Sequence, residues 1–203
     1  MVSISHNIDV AARKLQAYPK QIRFAASRAV NDTAKDVQDF TVKTLLPAKF
    51  TLRSRGAPWW KPGTRMGFNI RPFSKPSTLT AIVGSQADWL KLQEQGGTKK
   101  PDSGKRLAIV SGARPTPTAV IPRQVKPKRL LSGRKPKGFV VTTEKGSGIF
   151  VRAGDDVKMM YWLKPTAIIK PVLQFLPNAM AVVTKSFPKH FVKRFTEAMK
   201  TAR

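Results

Sequence analysis

The sequence contains no cysteine and only two histidines, His6 and His190, one toward each end of its 203 residues. Disulfide frameworks, thiolate metal sites and cysteine nucleophiles are therefore excluded. The two histidines have no partner at metal-ligand spacing, so no metal site is expected. Acid is scarce as well, with 11 Asp and Glu against 38 Lys and Arg. The adjacent pair Asp155 and Asp156 would point to opposite faces of a strand, which suits a turn between strands better than paired catalytic carboxylates. Ser147, in Lys145-Gly146-Ser147-Gly148, is followed by no strand-to-helix elbow. Neither a Walker nor a dinucleotide glycine pattern can be read from any stretch. No apolar run approaches the roughly 18 to 20 residues of a membrane-spanning helix, and Met1 to Asp9 lacks the basic-then-apolar pattern of a targeting peptide. The expectation is a protein that is not an enzyme, with no catalytic residue, no cofactor and no membrane partner.

What is present is charge. The formal net charge is +27 and the sequence pI about 11.3, a balance that seeks polyanions, whether nucleic acid, an anionic membrane or acidic protein surfaces, and charge alone does not choose among them. Hydrophobic residues make up 41% of the chain, enough to build a core, and the length suits one domain. From Pro19 to Leu46 the positions Ile22, Ala25, Ala26, Ala29, Val30, Thr33, Val37, Phe40 and Leu45 recur at helical spacing. Pro19 suits a first helical position, and a shorter helix over Asp9 to Tyr18 precedes it. Lys20, Arg23, Arg28, Asp32, Lys35, Asp36 and Asp39 form the polar face. The small residues Ala25, Ala26, Ser27 and Ala29 thin the helix on one side, where another element of the same chain is the favoured packing partner and a neighbouring subunit the alternative.

A basic arm spans about 47–67. It carries Arg53, Arg55, Lys61 and Arg65 beside Trp59 and Trp60, among Pro58, Pro62, Gly56 and Gly63, and reads as a loop. Basic residues interleaved with aromatics can hold single-stranded nucleic acid, but the stretch has no strand pattern, and the favoured role of the two tryptophans is to anchor the loop. Phe68 to Phe73 and Thr78 to Val83 then read as a hairpin, and Ala87 to Gln95 as a short helix stopped by Gly96 and Gly97.

A basic, Pro/Gly-rich insertion follows at about 98–137. Its cations are Lys99, Lys100, Lys105, Arg106, Arg114, Arg123, Lys126, Lys128, Arg129, Arg134, Lys135 and Lys137, against Asp102 alone. Six prolines disfavour long elements there, leaving Leu107 to Val110 and Thr118 to Ile121 as short strands. Gly138 to Thr143 and Gly148 to Arg152 form a second hairpin about Lys145, Gly146 and Ser147. Val157 to Leu163 and Thr166 to Ile169 continue the strands, with Pro171 and Pro177 ending them. A C-terminal helix runs from about Asn178 to Thr201, with Phe187, Phe191 and Phe195 on one face and a kink at Pro188. The fold expected is α+β: an antiparallel sheet with a long N-terminal helix and a C-terminal helix packed on it, plus extended basic loops, in a single domain over 1–203.

The order of segments, with Ala25-Ala26-Ser27-Arg28-Ala29-Val30-Asn31, Gly148-Ile149-Phe150-Val151-Arg152, Tyr161-Trp162-Leu163 and Ile168-Ile169-Lys170-Pro171, resembles phage minor tail proteins of the tail protein Z type. These belong with the tail-completion proteins of long-tailed phages. The resemblance implies a structural subunit of a virion tail or neck, made in the host cytoplasm, forming a homo-oligomeric ring. Terminator, connector or tube proteins would be its neighbours, with DNA in the channel as a further partner. The alternative is a sequence-independent nucleic-acid-binding protein. Under either reading, the residues expected to meet a polyanion or a neighbouring subunit are Arg53, Arg55, Trp59, Trp60, Lys99, Lys100, Lys105, Arg106, Arg123, Lys126, Lys128, Arg129, Arg134, Lys135 and Lys137.

Overall fold

In a computed structural model of the chain, the residues described are 5–54, 56–102, 104–116, 119–144 and 146–201, with side chains from Pro19 to Lys200. The expected contact residue Arg55, the hairpin residue Lys145, the strand residue Thr118 and the side chain of His6 lie outside them. The class is α+β, and the strand pairings are all antiparallel. The chain divides into two compact units: a helical unit of residues 1–49, 59–87 and 174–203, and a sheet unit of residues 50–58 and 88–173.

In the helical unit, α1 (Ser5–Phe40) runs without a break into a π-helical turn at Thr41–Leu45 and then α2 (Leu46–Lys49). Pro19 lies inside α1, not at a helix start, and the helix expected to precede it is part of the same element. A proline there forfeits one bond to the carbonyl four residues back, a loss that a helix of 36 residues absorbs. The other long helix is α5 (Phe175–Thr201), which packs along α1. It begins earlier than expected, so Pro177 sits in its first turn, where a missing N–H leaves nothing unbonded.

Two stripes of α1 have different partners. Ala25 and Ala29 are fully buried on the stripe that continues through Asp32 and Asp36, and these two carboxylates meet α5 at Arg194 and His190. Asp32 and Asp36, expected on the polar face where polar and apolar sides alternate, lie at the helix seam. The stripe of Ser27, Asn31 and Gln38 faces the hairpin. Ser27 Oγ and Asn31 Nδ2 both donate to the Ser74 carbonyl at 3.0 Å, Ser74 N donates to Asn31 Oδ1 at 2.7 Å, and Gln38 Nε2 donates to the Phe68 carbonyl at 2.6 Å. The close approach that the small residues permit is thus used within the chain.

That hairpin pairs β1 (Asn69–Ile70) with β2 (Val83–Gly84). It is far shorter than the expected strands Phe68 to Phe73 and Thr78 to Val83, because Pro72 and Pro76 have no N–H to extend the ladder. Two further bonds, Arg71 N to the Ile82 carbonyl at 2.9 Å and Ile82 N to the Pro72 carbonyl at 3.2 Å, carry the pairing past the strand ends.

In the sheet unit, α3 (Asp88–Gln95) ends at Gly96 and Gly97, whose positive φ values of 71° and 132° suit glycine. β3 (Gly97–Lys99) pairs with β8 (Ala167–Ile169). The main sheet has the order β4-β7-β6-β5, with β4 Leu107–Val110, β5 Gly138–Thr143, β6 Gly146–Ala153 and β7 Asp156–Lys164. Asp155 lies in the turn joining β6 to β7, as its neighbours suggested, and Asp156 opens β7. The register slips between Ile149 and Phe150, leaving Met160 without a partner on β6. This bulge lets the consecutive residues Met160 and Tyr161 both be buried, which regular alternation would forbid. With Ala113, Leu130 and Ile149 they form the core of the unit. The expected strand at Thr118 to Ile121 is not formed over 119–121.

Candidate polyanion interface

The insertion expected to be extended is, over its second half, a folded support for cations. A 3₁₀ turn at Arg123–Val125 leads into α4 (Pro127–Leu131), with Pro127 in the first helical position. Backbone bonds from Val125 N to the Pro122 carbonyl at 3.2 Å and from Arg129 N and Leu130 N to the Lys126 carbonyl at 2.9 and 3.0 Å hold these turns. Every few residues an apolar side chain points inward: Leu130 is buried in the core, and Ile121 and Val125 pack against it. Gly138 lets α4 sit on β5, since a Cβ there would come within 3.0 Å of Leu130 Cβ. Tyr161 Oη donates to the Val125 carbonyl at 2.8 Å, tying the 3₁₀ turn to β7. Burial pushes the Tyr161 phenol above its ordinary pKa, with the Arg114 cation pulling the other way, so it stays protonated and donating.

With the apolar residues turned in, the cations between them turn out. Arg123, Lys126, Lys128 and Arg129, with Ser132, line a cleft of about 410 Å³. None of these four has a carboxylate partner among the described residues. Like charges held this close repel, and a polyanion relieves that repulsion while releasing its own counterions.

The other expected contact residues are dispersed. Lys99 ends β3 and Lys100 follows it; Lys105 and Arg106 precede β4. Arg106 donates through Nη1 to the buried Ser147 Oγ, which also bonds Thr142 Oγ1 at 2.9 Å, so this arginine braces the β5–β6 hairpin. Arg134, Lys135 and Lys137 are exposed in the loop between α4 and β5. Arg53 belongs to the sheet unit and donates to the Thr51 carbonyl at 3.2 Å. Trp59 and Trp60 belong to the helical unit, half-buried and packed edge to face on each other with centroids 5.5 Å apart at 82°.

A second cationic cleft was missed by sequence. Arg65 and Arg71 line about 460 Å³ beside β1 and β2, together with Asn69, Ser85 and Gln86. Asn69 builds its wall: Nδ2 donates to the Thr64 and Gly67 carbonyls at 2.8 and 3.1 Å, and Oδ1 accepts from Gly63 N at 2.7 Å. Gly67 is required there, because a Cβ would lie 2.0 Å from the Lys61 carbonyl oxygen. The signal available was an Asn six residues after a Pro-Gly turn, which periodicity does not register. Among the described residues no group of three His, Asp or Glu could hold a metal ion, and no helix is long and apolar enough to cross a membrane. No family model, curated protein or solved structure matches the chain.

Proposed function

We propose that the chain is a non-enzymatic structural subunit of a phage virion tail or neck, of the minor-tail or tail-completion type. In this reading it joins neighbouring rings close to the DNA path and meets acidic surfaces through its cation-lined cleft. The observation that carries the reading is that cleft: Arg123, Lys126, Lys128 and Arg129 project from a support fastened to the core and have no carboxylate partner among the described residues. Such an arrangement stabilises nothing inside the unit and is completed by an anionic neighbour. The order of segments supplies the choice of neighbour, a virion ring.

Electron microscopy of particles assembled without this protein tests the proposal. Headless tails or tailless DNA-filled heads are expected; intact infectious particles would overturn it. The same cleft favours a second reading, sequence-independent nucleic-acid binding. Changing Arg123, Lys126, Lys128 and Arg129 together to Gln should flatten the salt dependence of duplex binding by about 0.9 for each phosphate no longer neutralised. An unchanged slope rejects the cleft as a phosphate site.

A further inference from the structure

The helical unit contains an apolar groove of about 360 Å³, bordered by Val30, Ala34 and Val37 of α1, Leu79 of the hairpin, and Val183 and Phe187 of α5. No charged side chain lines it, in a chain of which 24% is charged. The two longest charge-free stretches of the sequence, Pro76 to Ala87 and Pro171 to Thr184, both contribute to it. Its floor holds the buried Thr33 Oγ1, which has no hydrogen-bond partner among the described residues.

Along α5 the groove continues into an apolar stripe. Leu176, Met180, Val183 and Phe187 follow one another at steps of four, three and four, the spacing of a helix-to-helix seam. Leu176 is 64% exposed, Met180 57% and Val183 37%. The positions flanking the stripe, Pro177, Ala179, Thr184 and Ser186, are small or uncharged, and the nearest cations, Lys185 and Lys189, fall on other faces of the helix. An acidic partner would have to bury carboxylates here with nothing to pair them, and a phosphate backbone meets no cation.

We infer that the groove and stripe are a self-association surface occupied by α5 of a second copy of this chain, antiparallel about a twofold axis. The stripe is self-complementary in that arrangement: Leu176 meets Phe187 of the other copy and Met180 meets its Val183, layer by layer. Elsewhere two chains of net charge +27 repel; along this seam they do not. The inference does not rest on the tail reading.

The test is sedimentation equilibrium of the nuclease-treated full chain. Dimer is expected to grow with concentration, and to grow further as salt rises from about 50 mM to about 500 mM, because screening removes the repulsion between copies. Association bridged by nucleic acid has the opposite salt dependence, so the two cannot be confused. Met180→Glu should weaken the dimer at least about tenfold, with the thermal melt unchanged at concentrations where both chains are monomeric, whereas Val192→Glu, at an exposed position of α5 outside the stripe, should not weaken it. The absence of native cysteine gives a second readout: Met180→Cys should yield a covalent dimer with a short bismaleimide, and Val192→Cys should not. A chain monomeric up to about 500 µM in high salt, an association that falls with salt, or equal effects at positions 180 and 192 would overturn the inference.

Discussion

The helical and sheet units carry nearly the same excess of cations and dispose of it in opposite ways. Along the two long helices of the helical unit, carboxylates are built beside some of the cations, while Arg65 and Arg71 of the same unit line a cleft. Lys43 pairs with Asp39 at 2.7 Å and Arg194 with both Asp32 at 2.6 Å and Glu197 at 2.8 Å, and the His190 ring shares a hydrogen bond of 2.7 Å with Asp36. In the sheet unit, the stretch from Thr98 to Lys137 holds one acid, Asp102, and its cations are raised on an apolar support that leaves four of them around one cleft. Net charge alone therefore describes neither unit. Where counter-charge is supplied internally, cations serve packing; where it is withheld, they face the cleft.

Three substitutions sharpen the contrast. The largest effect is expected for Leu130→Ala, which removes the anchor of α4 from the core and should lower the stability of the sheet unit by about 2–5 kcal/mol. Denaturant unfolding would measure it, and polyanion affinity should fall with no cation changed. Next comes Asp32→Asn, which breaks the inter-helix pair with Arg194 and should cost about 1–3 kcal/mol. The hydrogen bond from Arg194 holds the Asp32 carboxyl below its ordinary value of 3.8, against the opposing pull of burial. A carboxylate depressed by folding contributes stability above its unfolded pKa and loses it as pH falls through the folded one. The native melting temperature should therefore drop below about pH 4, and the variant should lose this part of the acid sensitivity while polyanion affinity stays as it was. The smallest effect is expected for Tyr161→Phe. Losing the bond to the Val125 carbonyl should cost about 0.5–1.5 kcal/mol, and faster amide exchange at residues 123–126 would report a loosened cation support.

The sheet was legible where its signals are local. Alternation and turn glycines marked β5, β6 and β7 to within a few residues, and Leu107 to Val110 emerged as β4 with the bounds expected. The bulge at Met160 was not legible, because two adjacent buried residues read the same whether a strand slips or not. In the helical unit both long helices could be seen from periodicity, but not the partners of Asp32 and Asp36, which lie 162 and 154 residues away in sequence. The cations of the cleft were each recognisable as basic residues. Their convergence was hidden because prolines and glycines made 98–137 look extended, while the residues that fold it, Ile121, Val125 and Leu130, are too widely spaced to form a periodic signal.

The π-helical turn after α1 has a consequence for how this helix tolerates change. At Thr41–Leu45 the Leu46 N–H reaches back five residues to the Thr41 carbonyl, while the buried Thr41 Oγ1 donates to the Val37 carbonyl at 2.7 Å. One surplus residue is thereby housed in the wall of the helix, and the consecutive pair Leu45 and Leu46 can both be buried. Since each α-helical residue advances the chain by about 100°, trimming that surplus would swing α2 and everything leading out of it by more than a quarter circle, with the composition of the helix scarcely altered. The phase of the exit, and not the length of the helix, is what these five residues encode.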